Sequence, residues 1–293
     1  MSKVIVVTGA GNNIGRSICE ELAQAGHTVY VSMREAGDLS EPGSGRTGPQ
    51  AAELRTIDFD ISSAASVTAA IAGVIAEHER LDVIVHNARQ VLYGPTEAFT
   101  PEQLAELYEI NVLSAQRLNR AALPQLRKQG QGLMIWITSS CASGVAVPFL
   151  GAYASSKAAI DTLALAYAGE LARWGIETSI VVPSALGPGH YVRSGRPTDT
   201  ARAEEYADGP TGDVTETALA GLAQFSPRDR APQDVARAIV DVVNMPLGRR
   251  PLRVHFDPDD DGAAAIDAVA GRARAELLRR IGLEDFFSPV IIG

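Results

Sequence analysis

Short apolar, β-branched runs alternate with segments of helical apolar spacing along most of this chain. The runs fall at 3–8, 28–33, 54–58, 81–86, 132–139, 176–182 and 251–256, and each predicts a strand. Helical spacing falls near 14–25, 63–78, 101–128, 152–173 and 232–243. The long helix has a readable start, with Thr100 as N-cap, Pro101 at the first position and Gln103 closing a capping box. Strands that alternate with helices predict an α/β fold, a doubly wound parallel sheet in three αβα layers.

Two stretches break the alternation. Residues 35–51 are rich in Gly, Pro and Ser and predict a surface loop after the second strand. Residues 184–213 follow the sixth strand and also predict a loop, expected to be a substrate lid lined by His190, Tyr191, Arg193 and Tyr206, because ligands of such folds bind at the carboxyl ends of the strands. Beyond residue 256, Asp257-Pro258-Asp259-Asp260-Asp261-Gly262 lacks calcium-loop spacing and predicts a solvated turn. The next helix carries Ile266, Val269, Ala270, Ala273, Leu277 and Ile281 on one face and Arg272, Arg279 and Arg280 on the other. The tail ends in Phe286-Phe287 and Val290-Ile291-Ile292. Residues 1–256 therefore predict one catalytic and cofactor-binding domain, and 257–293 an extension that packs on it or on a neighbouring subunit.

The candidate chemistry centres on Tyr153-Ala154-Ser155-Ser156-Lys157, with Ser140 thirteen positions upstream. A Lys four residues after a Tyr shares its helical face, so ammonium and phenol share one electrostatic environment. Free Tyr titrates near ~10, so a phenolate at neutral pH costs about 4 kcal/mol, which a nearby cation reduces. The pair alone is common in helices; its company is less so. Lys3–Thr8 is a strand signal that enters Gly9-Ala10-Gly11-Asn12-Asn13-Ile14-Gly15 and then a helical segment, the arrangement that sets backbone N–H groups against a pyrophosphate. Leu81–His86 reads as a buried parallel strand followed by Asn87-Ala88-Arg89, and Ile110-Asn111-Val112 sits inside the long helix.

Taken together, Thr8-Gly9 to Gly15, Asn87-Ala88, Asn111, Ser140 and Tyr153 with Lys157 resemble the short-chain dehydrogenase/reductase family, in register from residue 1 to about 256. The resemblance implies a Rossmann-type domain that transfers hydride between a nicotinamide cofactor and a carbonyl or alcohol carbon. It makes Tyr153 the general acid/base and has Ser140 orient the carbonyl. Lys157 is to lower the Tyr pKa and bind the nicotinamide ribose, and Asn111 to hold a water of a proton relay. It implies cofactor contacts from Thr8, Gly9, Gly11, Asn12, Asn13, Ile14, Gly15, Arg34, Asp60, Ile61, Asn87, Ala88, Tyr153, Lys157, Pro183, Ser184 and Leu186. Past the second strand, Met33 stands where NAD-type relatives carry an acid and Arg34 follows, which favours NADP(H) over NAD(H).

Three departures touch the cofactor end. Asn13 replaces the middle glycine of the usual turn, and Asn tolerates the left-handed conformation best among other residues. His86-Asn87-Ala88-Arg89 replaces Asn-Asn-Ala-Gly, with Arg89 open to a phosphate, the substrate or solvent. Pro183-Ser184 replaces Pro-Gly.

The net charge of −9 argues against nucleic acid or an anionic membrane as the main partner. Cys19 and Cys141 lack metal-ligand spacing and read as reduced thiols of a cytoplasmic protein; Met1-Ser2-Lys3 runs straight into the first strand, so no signal peptide is expected. No apolar stretch approaches membrane-spanning length. The expected function is an NADP(H)-dependent interconversion of ketone or aldehyde and alcohol on a small molecule, by a homodimer or homotetramer paired through the long helices. The alternative is a non-catalytic NADP-binding or sensing protein on the same fold.

Overall fold

Alternation along each strand decides which side of the sheet a side chain joins. The computed structural model describes residues 2–11, 13–33, 53–144, 147–183, 194–224, 232–256 and 262–286. Its strands are β1 (Val4–Val7), β2 (Thr28–Met33), β3 (Glu53–Asp58), β4 (Val83–His86), β5 (Gly132–Ile137), β6 (Ile176–Pro183) and β7 (Arg253–Phe256). They form one parallel sheet in the order β3-β2-β1-β4-β5-β6-β7. This is the Rossmann-type doubly wound arrangement expected from the sequence.

Val4, Val6, Ile84, Met134, Trp136 and Ile180 project into one apolar layer. There they meet α2 (Ala64–His78), α4 (Ser114–Gln129) and α5 (Gly151–Ala172). Ile5, Val7, Val29, Val31, Val85 and Ile135 project into the other, against α1 (Asn13–Gln24) and the helix Pro232–Asn244. Both faces of the sheet are thus covered, which is why its strands read as continuous apolar runs. The chain reverses direction across the sheet between β1 and β4. The loops leaving those two strands therefore line the crevice at the carboxyl edge.

The long helix differs from its sequence reading. Its predicted capping box is present: Thr100 Oγ1 accepts from Gln103 N at 3.2 Å and Gln103 Oε1 from Thr100 N at 3.3 Å. The helix that begins there, α3 (Pro101–Tyr108), passes through a π-helical turn at Glu109–Leu113 before α4. The Ser114 N–H donates to Glu109 O, five residues back, so one extra residue is accommodated in the turn. Apolar periodicity continues on both sides, which makes the insertion invisible to a pattern search.

The segment read as a loop at 184–213 contains a helix, α6 (Thr200–Asp208), capped by Asp199, whose side chain accepts from Arg202 N at 3.1 Å; α7 (Val214–Gln224) follows. Helix α6 buries no residue fully, so it carries no buried apolar stripe for the sequence to show. The helix at Pro232–Asn244, α8, matches its expectation.

Beyond β7, α9 (Ala263–Arg280) turns Ala263 and Asp267 inward and leaves Ile266, Val269, Leu277 and Ile281 exposed. Its apolar stripe is therefore not the face that meets this chain. Polar contacts hold it instead. Asp267 Oδ1 accepts from Ser143 Oγ at 2.9 Å, and Asp267 Oδ2 lies 3.3 Å from both Arg253 and His255. Arg253 in turn donates to both oxygens of Asp161 on α5. Farther on, Asp285 pairs with Arg173, whose guanidinium also lies over the Phe286 ring. Among the described residues no helix is long and apolar enough to cross a membrane. The expected loop 35–51, the turn 257–261, Phe287 and Val290 to Ile292 lie outside the described residues, as do Asn12, Arg34, Ser184, Leu186, His190, Tyr191 and Arg193.

Candidate active site

At the exit of β1, Gly9 adopts φ +71°, and a Cβ there would sit 2.5 Å from Ala88 Cα. Only glycine permits that contact, which presses the β1 exit against the β4 exit. A Cβ on Gly15 would likewise come within 2.4 Å of Gly9 O, so the first turn of α1 folds back onto the loop. Thr8 Oγ1 accepts from Asn87 N and Ala88 N, both at 3.1 Å, and Asn87 Nδ2 donates to Thr8 O and Gly9 O. The two exits are one rigid unit. Asn13 begins α1 on the exposed side, next to exposed Gly11, with Ile14 buried behind it. The only non-glycine residues with positive φ among those described are Glu79 and Phe149. Asn13 therefore needs no left-handed conformation, because it starts the helix rather than the bend before it. At the exit of β3, Asp60 Oδ1 accepts from Ser62 N and Ser62 Oγ, a turn that leaves Asp60 exposed and Ile61 half-buried. Pro183 closes β6 in a buried position.

His86, which stands where the family resemblance implies asparagine, faces the core. Its Nε2 lies 2.8 Å from Asn119 Oδ1 and its ring 4.2 Å from Trp136. Burial lowers its pKa to about 3, so it is a neutral packing residue.

Asn111 lies in the π-helical turn, 2% exposed, and bonds to two separate segments. Its Oδ1 accepts from Gln90 N at 2.7 Å, and its Nδ2 donates to Gln90 O at 3.0 Å. The same Nδ2 reaches Ser156 Oγ at 2.9 Å, and Ser156 Oγ donates to Tyr153 O at 2.7 Å. One amide thus ties the β4 exit, which carries Arg89, to the turn of α5 that carries Tyr153.

Tyr153 is 2% exposed, and the Ser139 and Arg89 side chains act on its hydroxyl. Burial pushes the phenol pKa up, and the pull of Arg89 in the other direction is smaller. In this chain alone the phenol is therefore held protonated, opposite to the lowering expected from Lys157. The reason is desolvation at a site sealed by Tyr93, Cys141, Leu150 and Ala154. Lys157 is itself buried. Its Nζ donates to Ile137 O at 2.8 Å and lies 5.8 Å from the Tyr153 ring centroid. Burial first, and Arg89 second, lower its pKa to about 7.

Ser140 opens the short 3-10 turn Ser140–Ser143 that leads from β5 towards α5. Its neighbour Ser139, extended at φ −167°, is the serine that acts on the phenol, and its Oγ accepts from Cys141 Sγ at 3.3 Å. The wall opposite is aromatic: Tyr93, Phe149 and Tyr206 meet edge to face at 6.4 and 6.1 Å. Tyr206 Oη donates to Glu97 Oε2 at 3.0 Å, which anchors α6 over this wall.

The structure thus brings Asn111, Tyr153 and Lys157 together, with Ser140 at the edge of the group. It sets Thr8, Gly9, Gly15, Asn87 and Ala88 in one adjoining crevice. Ser139, Ser156 and the action of Arg89 on the phenol were missed. The double serine and the arginine in place of glycine were visible in the sequence, but which of them faces the phenol depends on loop geometry. Among the described residues no cluster of three His, Cys, Asp or Glu side chains could hold a metal ion.

The sequence model of the family described as short chain dehydrogenase matches residues 3–194. A 3-ketodihydrosphingosine reductase of Bacteroides thetaiotaomicron is 27% identical over 206 residues, 70% of this chain and 72% of the relative. A cyclopentanol dehydrogenase of Comamonas sp. is 31% identical over 185 residues, 63% of this chain and 73% of the relative. The crystal structure of a short-chain dehydrogenase from Streptomyces avermitilis superposes with a TM-score of 0.74 at 27% identity, covering 96% of this chain and 97% of that one. With the family match spanning most of the sheet, and the site built where that fold places its ligands, the chain belongs to the short-chain dehydrogenase family and is an oxidoreductase acting on alcohol and carbonyl groups.

Proposed function

We propose that the protein is an NADP(H)-dependent ketone or aldehyde reductase, reversible as an alcohol dehydrogenase, with Tyr153 as its acid/base. The observation that carries this reading is the buried Tyr153 with Lys157 beside it, adjoining a crevice shaped by Gly9, Gly15 and Asn87. That crevice fits a dinucleotide: a glycine bend admits close backbone approach, the α1 N-terminus faces solvent there, and Asn87 Oδ1 is a buried acceptor without a partner among the described residues. Thr8, Gly9, Gly11, Asn12, Asn13, Ile14, Gly15, Asn87 and Ala88 would hold the pyrophosphate side, Asp60 and Ile61 the adenine, Arg34 the 2′-phosphate, and Pro183, Ser184 and Leu186 the nicotinamide side. Once bound, the nicotinamide supplies the hydride in reduction and takes it up in oxidation.

The protein supplies the proton and the geometry. Tyr153 donates its proton to the carbonyl oxygen as negative charge develops there, and a phenol kept neutral by burial suits that direction. Ser140, on the loop that also presents Ser139, hydrogen-bonds the same oxygen. Lys157, one helical turn from Tyr153, is positioned for the ribose and, with Asn111, for returning a proton to the phenol. In reduction the substrate gains one hydride and one proton, and the proton lost from Tyr153 is restored from solvent.

Tyr153→Phe is expected to lower kcat for ketone reduction by about 100-fold or more with NADPH affinity little changed; near-normal turnover would remove Tyr153 from the mechanism. Arg34→Ala is expected to weaken NADPH binding about ten-fold while leaving NADH unaffected. Tighter wild-type binding of NADH would overturn the NADP assignment. The third expectation concerns pH. Lys157 has a folded pKa of about 7 against an ordinary 10.5, so between these values the unfolded chain binds more protons and stability rises with pH. Lys157→Met should therefore raise Tm at pH 7, by an amount that shrinks as pH approaches 10, while turnover falls. A Tm difference independent of pH would contradict the depressed pKa.

A further inference from the structure

We propose that the appended helix α9 completes the active site: Asp267, acting through Ser143, holds the Ser140–Ser143 turn against Tyr153 and is a positioning residue for the reaction. This rests on the reading in which Tyr153 and Ser140 act on the carbonyl oxygen. The turn that carries Ser140 has two sides. On the inner side Cys141 is buried and packs with Tyr93, Leu150, Tyr153 and Ala154. On the outer side the Ser143 hydroxyl donates to Asp267 Oδ1 at 2.9 Å. A 3-10 turn of four residues has poor hydrogen-bond geometry of its own. Ser139 before it is extended, and Gly144 after it is exposed at φ +91°. Contacts to neighbouring elements therefore decide where the turn lies, and Asp267 supplies a charge-assisted one.

Asp267 is itself fixed from a further direction. Its Oδ2 lies 3.3 Å from Arg253 Nη1 and from His255 Nε2, both on β7. Arg253 then donates to both carboxylate oxygens of Asp161, at 2.9 and 2.6 Å. Asp161 lies about two helical turns past Tyr153 on α5. The contacts close a ring: Tyr153, α5, Asp161, Arg253, Asp267, Ser143 and the turn whose Cys141 returns to Tyr153. One side chain of the extension thus ties the helix of the proton donor and the loop of Ser140 to a common frame. Apolar packing does not account for this arrangement. Within α9 only Ala263 is fully buried, while Ile266, Val269, Leu277 and Ile281 stay exposed. The Asp267 side chain, by contrast, is only 8% exposed. A buried carboxylate gives up hydration that its partners must replace, so it adds little net stability, whereas its directed contacts fix geometry. What that burial secures is the placement of the turn.

Ser143→Ala cuts the link and leaves the Asp267–Arg253 pair in place, whereas Ser143→Thr keeps the hydroxyl. These two, Asp267→Ala and the double variant Ser143→Ala with Asp267→Ala would be compared with wild type. The assay is reduction of one ketone with the preferred nicotinamide cofactor, with kcat expressed per titrated cofactor site. The expected result is a kcat about ten-fold lower in Ser143→Ala and largely restored in Ser143→Thr, with the cofactor KM changed by less than about two-fold. The double variant is expected to be no slower than Asp267→Ala. A kcat per site unchanged in Ser143→Ala, or Ser143→Thr as slow as Ser143→Ala, would overturn the assignment, and so would losses that multiply in the double variant. A fall in cofactor-binding protein with kcat per site intact marks a merely structural contact and overturns it too. Should Asp267→Ala not fold, the two Ser143 variants decide. If wild type reduces no ketone, the reductase reading fails separately, and amide hydrogen exchange at residues 140–143 reads the tether by itself. Exchange about ten-fold faster in Ser143→Ala upholds it, and unchanged exchange sinks it.

Discussion

The site depends on a single buried amide. Asn111 spends its acceptor and its donor on two segments far apart in sequence, Gln90 at the end of β4 and Ser156 on α5. The π-helical turn makes this possible by inserting one residue between α3 and α4, so Asn111 faces inward while the apolar stripes on both sides stay packed. Each hydrogen bond contributes only about 1 kcal/mol net, but leaving the buried partners unpaired would cost more. The clamp is therefore mainly a device for placing atoms. It sets the loop after β4 against the Tyr153 turn of α5.

Burial and charge compete at the phenol, and burial wins. Arg89 lowers the Tyr153 pKa, yet desolvation raises it more, and Lys157 pays the same penalty in the opposite sense. Both groups are held near their neutral forms, phenol protonated and amine partly deprotonated. A neutral acid beside an amine that titrates near pH 7 is a workable source and store for one proton. The extension adds a second constraint on the same loop. Asp267 of α9 accepts from Ser143, three residues past Ser140, while pairing with Arg253 of β7.

Much of this was legible in the sequence. The strands and most helices follow from apolar runs and spacing, because a sheet covered on both faces needs them. The positions of Tyr153, Lys157 and Asn111 follow from a resemblance whose parts keep their order. What escaped has physical causes. A π-helical turn leaves apolar periodicity intact, so the long helix read as uninterrupted. The helix α6 sits in a Gly- and Pro-rich segment and buries no residue fully. The choice of Ser139 at the phenol depends on one extended residue before a 3-10 turn. The apparent departure at His86 has a packing answer, since strand alternation turns that side chain into the core beside Trp136. The burial that acts on the Tyr153 phenol was not legible, because a sequence displays nearby charges but not the desolvation that opposes them.

The central claim is that Asn111 acts by positioning Tyr153, and a double-mutant cycle in kcat tests it most directly. Asn111→Ala, Tyr153→Phe and the double variant would be compared in reduction of one ketone with the preferred nicotinamide cofactor. If the amide works through the phenol, the double variant turns over about as fast as Tyr153→Phe alone. Losses that multiply would show that Asn111 contributes to turnover independently and would contradict the account.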